Sequence, residues 1–142
     1  MTFPDRIERT LDLAHAPAKV WAALTTAEGL GTWFGNSAEV DLRPGGEATL
    51  RWDDGPEAKL EIQVVEPITR FAYSWTIQGL PEDDPRRTFV DFALEPVGAG
   101  TRLTVVESGF AQAPPETRDA AFKGNTSGWE NELGELVAYL NG

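Results

Sequence analysis

Trp33-Phe34-Gly35, then Asp41-Leu42-Arg43-Pro44-Gly45-Gly46, and far downstream Gly128-Trp129 opening a Leu-rich stretch, are the segments whose reading decides the fold. The two aromatics close a short helix, the double glycine stands where a strand must bend, and the later tryptophan begins a long helix. Glycine serves a sharp bend because it tolerates conformations that a Cβ would block. Together these segments outline the wall of a cavity better than they outline a reaction.

Outward from them, Ile7, Arg9, Leu11 and Leu13 alternate with Glu8, Thr10 and Asp12, a first strand with two unlike faces. Pro17 suits the first position of a helix, and Val20, Ala23 and Leu24 recur at helical spacing with Trp21 beside them. Thr26 can cap a second short helix over 27–34, where Gly29 and Gly31 each weaken the helix by about 1 kcal/mol relative to Ala and so predict mobility. Strands are then expected over 38–41, 47–52, 58–65, 71–77 and 87–94, punctuated by turn signals such as Asp53-Asp54-Gly55-Pro56. A last strand over 101–108 follows the hairpin signal Pro96-Val97-Gly98-Ala99-Gly100. Seven strands, mostly in a meander with helices at both ends, form an α+β pattern rather than the alternating βα of a parallel sheet.

From Pro114-Pro115-Glu116 onward, Phe122, Trp129, Leu133, Leu136, Val137 and Leu140 share one helical stripe. Ser127-Gly128-Trp129-Glu130 matches the S-x-x-E capping box, and Gly124-Asn125 is a turn signal. Two readings stand: one long helix from Glu116 distorted at Gly124, or a short helix ending near Lys123 and a main helix starting at Ser127. In either, the sheet must curl around the last helix to bury the stripe. The length of 142 residues predicts one domain over 1–142, since chains divide only above roughly 250 residues.

These segments, with Ile7-Glu8-Arg9 and Pro17-Ala18-Lys19-Val20-Trp21, resemble the START-like (SRPBCC) superfamily, and within it the family named after the activator of the heat-shock protein 90 ATPase. The resemblance covers nearly the whole chain. It implies the helix-grip fold of the birch-pollen allergen: a curved antiparallel sheet wrapped around a long C-terminal helix, with two short helices after the first strand. Members of that family are mostly bacterial single-domain proteins. The eukaryotic namesake stimulates a chaperone ATPase and has an additional N-terminal domain that supplies much of the chaperone contact, a segment not expected in a chain that enters its first strand by Ile7. Other START-like branches, the polyketide cyclases and aromatases, lipid carriers and plant hormone receptors, all use the space between sheet and long helix. Fold alone does not choose among them.

Composition narrows the choice. Lys and Arg number 12 against 23 Asp and Glu, a net charge of −11, and such a chain repels nucleic-acid phosphates and anionic membranes. With no Cys and one His, thiolate and imidazole-rich metal sites are excluded, and no cofactor is expected. No apolar run approaches the ~20 residues of a membrane span, and Met1-Thr2-Phe3-Pro4-Asp5-Arg6 lacks the apolar core of a signal peptide, so a cytoplasmic protein is expected.

In Phe71-Ala72-Tyr73-Ser74-Trp75-Thr76-Ile77 the large residues occupy alternate positions, which places Phe71, Tyr73, Trp75 and Ile77 on one inner face. Leu50 and Trp52, Leu60, Ile62 and Val64, Val90, Phe92 and Leu94, and Leu103 and Val105 join it by the same parity. This is more aromatic surface than a small core requires. A ligand pocket lined by Trp33, Phe34, Trp52, Tyr73, Trp75, Phe92, Glu107, Phe122, Asn125, Trp129 and Leu133 therefore competes with plain core packing.

Glu107 shares the parity of Leu103 and Val105, so its carboxylate faces inward unless the strand ends first and lets it reach water or cap the helix at Trp129. An inward carboxylate needs partners, because burying it alone costs several kcal/mol. Tyr73, Arg118 and Asn125 are the candidates. His15, in Ala14-His15-Ala16-Pro17, is expected on a surface loop far from the aromatic face, which leaves nucleophilic catalysis without a base. Glu82-Asp83-Asp84 followed by Arg86-Arg87 reads as a solvated loop or a protein-docking edge, and Gly45-Gly46 lacks the spacing of a phosphate loop.

Three functions follow as expectations. The first is a binding module for a small hydrophobic or aromatic molecule between sheet and helix. The second is a cyclase-like enzyme using Glu107 near Tyr73. The third is a co-chaperone-like protein, with a protein partner or a homodimer as its association.

Overall fold

The computed structural model describes residues 5–55 and 57–142. Residues 1–4 of the N-terminal segment, and Pro56 of the turn at 53–56, lie outside the described residues. Strand β1 (Arg6–Leu13) leads into helix α1 (Pro17–Thr25) and the short α2 (Ala27–Gly29), followed by β2 (Ser37–Val40), β3 (Glu47–Arg51), β4 (Glu57–Glu66), β5 (Arg70–Thr76), β6 (Arg87–Val97), β7 (Gly100–Ser108) and helix α3 (Pro115–Asn141). The strands form one antiparallel sheet in the order β1-β7-β6-β5-β4-β3-β2. The meander thus runs from β2 to β7, and β1 pairs with the last strand, Ile7 opposite Glu107 and Leu11 opposite Leu103. The sheet curls around α3, the helix-grip arrangement.

Alternation predicts the inner face well. Leu50, Leu60, Ile62, Phe71, Tyr73, Val90, Phe92, Leu103 and Val105 are all buried. It fails at one place. The register of β4 against β5 shifts between Ile62 and Val64, so Val65 stands opposite Phe71 and packs on the core where parity had placed Val64. One extra residue in a strand flips every later side chain to the other face. Strand β6 also runs further than expected, through Pro96, which sits opposite Thr101, and leaves Gly98 with φ 60° to turn the hairpin.

The bend at the double glycine is real. Gly45 adopts φ 84°, and a Cβ on Gly46 would lie 2.2 Å from the Asp41 carbonyl oxygen. Both glycines then bond across to Ile62, Gly45 N donating to its carbonyl at 2.8 Å and Gly46 O accepting from its amide at 2.9 Å.

Helix α3 is one continuous element, so Ser127 lies in its interior and caps nothing. Its buried residues Trp129, Leu133, Leu136 and Leu140 recur at intervals of three and four, the apolar stripe of a core-facing helix. Pro115 occupies its first turn, where a missing N–H costs nothing. A short 3-10 turn, Phe110–Gln112, precedes it, and buried Phe110 meets Phe122 edge-on at 5.5 Å between ring centres.

The segment expected as one short helix over 27–34 is two pieces. Thr26 does cap it, its hydroxyl accepting from Gly29 N at 3.0 Å. After α2 the chain widens into a π-helical turn, Leu30–Phe34, closed by Gly35 N donating to Leu30 O at 2.9 Å. Its glycines mark close packing rather than weakness. A Cβ on Gly29 would sit 2.6 Å from the Ala23 carbonyl oxygen, and one on Gly31 would sit 2.9 Å from the Ala38 amide nitrogen.

Candidate functional site

Glu107 ends β7 on the inner face and is fully buried. Its Oε2 accepts from Trp75 Nε1 at 2.7 Å and from the Thr88 hydroxyl at 2.5 Å. Its Oε1 accepts from Trp129 Nε1 at 2.8 Å, and the Asn125 amide reaches both oxygens at 3.0 and 3.1 Å. Two strands and the long helix thereby meet on one carboxylate. Indole nitrogen can only donate, so the two tryptophans commit both oxygens to accepting.

Of the expected partners, Asn125 is present, whereas Arg118 pairs with its neighbour Asp119 at 3.1 Å. Tyr73 is close enough to feel the charge, but its buried hydroxyl has no hydrogen-bond partner among the described residues. Burial, then the negative Glu107 and Glu132, hold its phenol well above the ordinary tyrosine range. Thr88, Trp75 and Trp129 escaped the expectation as partners of Glu107, although strand parity places Trp75 and helical spacing places Trp129 on the same side as the carboxylate.

The interior between sheet and helix is filled. Tyr73 packs between Trp75 and Phe92, with ring centres at 5.2 and 6.2 Å, and Phe92 meets Trp129 edge-on at 5.8 Å. Trp75 and Trp129 stand 6.0 Å apart, the spacing of direct ring contact, which leaves no room for a ligand between them. The open cavity expected from the excess of aromatic area is thus occupied by those aromatics themselves.

On the outer side of this pair lies a crevice of about 330 Å³, lined by Phe34, Trp52, Trp75, Gln78, Gly124, Asn125, Gly128, Trp129 and Glu132. The π turn delivers Phe34, which touches Trp52, Trp75 and Trp129 at 6.3, 5.9 and 5.7 Å between ring centres. Five of the expected pocket residues therefore line it: Phe34, Trp52, Trp75, Asn125 and Trp129. The others lie elsewhere. Trp33 is a core residue whose indole donates to the Ala23 carbonyl at 2.7 Å, Phe122 packs on Phe110, and Tyr73, Phe92 and Leu133 are buried behind the crevice. Gln78, Gly124, Gly128 and Glu132 complete the lining. The glycines at helix positions 124 and 128 face it with no side chain, a signal legible in principle from their spacing of one turn.

Glu132 is the one acidic group in that lining. Its Oε2 is buried with no hydrogen-bond partner among the described residues. Loss of solvation, reinforced by the charge of Glu135 and partly offset by the Asn131 amide, raises its pKa from 4.5 to about 7.

His15 sits at the other end of the molecule, its Nε2 2.8 Å from Asn141 Oδ1. Asn141 is sixteen residues beyond Asn125 on α3, roughly 24 Å along the axis. Among the described residues, no three His, Cys, Asp or Glu side chains are grouped to hold a metal ion. Among the described residues, no helix is long and apolar enough to cross a membrane.

A seven-stranded antiparallel sheet gripping a long C-terminal helix, with short helices after the first strand, defines a START-like protein. More narrowly, the chain belongs to the family described as Activator of Hsp90 ATPase homolog 1-like protein, whose model matches residues 14–141. Protein MLL2253 from Mesorhizobium loti is similar in structure with a TM-score of 0.80 and 27% identity, the match covering 96% of each chain. DynU16, a protein of the dynemicin biosynthetic locus, aligns with a TM-score of 0.80 and 23% identity over 98% of this chain but only 48% of its own. The Aha1 dimer from Colwellia psychrerythraea aligns with a TM-score of 0.78 and 21% identity over 95% of each chain. At 23% and 21% identity, these last two show likeness of fold alone. No curated protein matches this chain.

Proposed function

We propose that this protein is a small-molecule binding module whose ligand, largely apolar or aromatic, occupies the crevice outside the Trp75–Trp129 pair. One observation carries the reading: four aromatic rings from separate elements converge on a concavity of about 330 Å³, within the roughly 300–1,000 Å³ of ligand sites. Glu107 serves here as the anchor that fixes two of those rings, because its oxygens are already engaged by Trp75, Thr88, Asn125 and Trp129. That engagement weighs against a cyclase-like role, in which the carboxylate would have to reach a substrate. The occurrence of a fold relative, DynU16, in a biosynthetic locus is in keeping with a small-molecule ligand.

Native mass spectrometry of protein purified from its own host tests the reading. A bound small molecule whose release follows Trp52→Ala or Trp129→Ala supports it. Protein that carries nothing, and whose tryptophan fluorescence is unmoved by a panel of aromatic fragments, overturns it.

A further inference from the structure

We propose that the ligand of this crevice carries a cationic centre, an alkyl- or arylammonium group, held against the aromatic rings and over the carboxylate of Glu132; this rests on the ligand-binding reading above.

The chemistry of the lining supports a cation in three ways. First, each tryptophan in the lining has already given its only donor to the protein. Trp52 Nε1 donates to the Phe34 carbonyl at 3.2 Å, and Trp75 and Trp129 donate to Glu107. What they offer the crevice is ring surface, whose π cloud is negative and attracts an ammonium at about 6 Å or less from the ring centre. Second, among the described residues the lining holds no Lys or Arg, and its one charged side chain is acidic. An anionic ligand would find no counter-charge there, and the buried Glu107 carboxylate behind the tryptophans adds to the same field. Third, Glu132 Oε2 and the Tyr73 hydroxyl are both buried and unpartnered among the described residues, and Tyr73 lies within electrostatic reach of Glu132. Buried polar atoms without partners are rare in native proteins, and an unmet acceptor at the edge of a concavity points to a group that arrives from outside.

A purely hydrocarbon ligand would cover Oε2 and leave it unsatisfied. A cation meets both needs, contact with the rings and a partner for the carboxylate. The chain's net charge of −11 further raises the local concentration of cations around it. Gly128, with nothing within 4 Å of its missing Cβ, leaves the helix side of the crevice open at that turn, so an ammonium head can approach.

The test is a titration of the full chain at near-physiological salt, following the indole N–H resonances of Trp52, Trp75 and Trp129 by NMR. Three matched probes are used: benzylammonium, benzyl alcohol and benzoate. The expected order is the cation tightest by about tenfold or more over the alcohol, with benzoate weakest, a gap of about 1.4 kcal/mol. In Glu132→Gln the cation should lose its advantage over benzyl alcohol, the spectrum itself reporting that the variant is folded. Equal binding of cation and alcohol overturns the charge assignment and leaves the ligand-binding reading standing. Cation binding that is indifferent to Glu132→Gln, or that perturbs only resonances away from the three indoles, also overturns it. If no probe moves those resonances, this proposal and the binding reading fall together.

Discussion

Trp75 on β5 and Trp129 on α3 donate their indole N–H groups to opposite oxygens of one buried carboxylate, at 2.7 and 2.8 Å, with their rings 6.0 Å apart. Sheet and helix, joined elsewhere by apolar packing and at the surface by the Arg9–Glu130 ion pair at 3.2 Å, are tied here by buried hydrogen bonds that specify position. The carboxylate acts as a pin that holds the grip of the fold at its open end.

Removing that pin should be costly. Glu107→Ala leaves the donors of Trp75, Trp129, Asn125 and Thr88 buried and unmet. At about 1–3 kcal/mol for each unsatisfied buried group, a loss of roughly 4 kcal/mol or more is expected, with Glu107→Gln milder because one acceptor remains. Urea unfolding measures both, and a loss below about 1 kcal/mol would show that the network contributes little.

Trp129→Ala should destabilise by about 3–5 kcal/mol, since the side chain is buried against Phe34, Trp75 and Phe92. Trp52, which is half-buried at the rim, should cost about half as much or less on truncation to Ala. Thermal or denaturant unfolding of the pair checks the contrast. Equal losses would mean that Trp52 belongs to the core as fully as Trp129.

Glu132 predicts a pH dependence whose sign can be worked out. Its folded-state pKa of about 7 lies above the ordinary 4.5, so the folded protein holds this proton more tightly than the unfolded chain does. Stability from this group is therefore greatest below about pH 4.5 and is lost as pH rises toward and past 7. Glu132→Gln should stabilise the protein at pH 8 relative to wild type and make little difference at pH 4. The side chain is half-exposed and screened by water, which limits the gain to about 1 kcal/mol or less. Unfolding curves at the two pH values decide, and a gain that is larger at pH 4 would reverse the assignment.

The glycines divide into two kinds that a substitution pair separates. Gly46→Ala would force a Cβ to 2.2 Å from the Asp41 carbonyl oxygen and should destabilise by about 2 kcal/mol or more. Gly134 is exposed in the interior of α3 with nothing within 4 Å of its missing Cβ. Gly134→Ala should therefore stabilise by about 0.5–1 kcal/mol, the helix propensity difference. Melting temperatures moving in opposite directions are the expected result.

What the sequence by itself determined is the skeleton. Alternation along 71–77 and 101–108 placed Phe71, Tyr73, Leu103, Val105 and Glu107 inward, and three-four spacing placed Trp129, Leu133, Leu136 and Leu140 on one helix face. Those periodicities are carried by neighbouring residues, so they survive without knowledge of the rest of the chain. Tertiary structure alone decided how the inward groups divide between core and crevice. Whether Tyr73, Trp75, Phe92 and Trp129 enclose a void or fill it depends on rotamers chosen jointly by residues up to 56 positions apart, and they fill it. The same holds for the extra residue between Ile62 and Val64, which swaps Val64 for Val65, and for the π turn that swings Phe34 to the rim. Glu132 illustrates the limit: its neighbours on α3 mark it as an ordinary polar helix residue, and only the folded chain sets it beside Trp75 and Trp129 in the crevice and takes part of its solvation away.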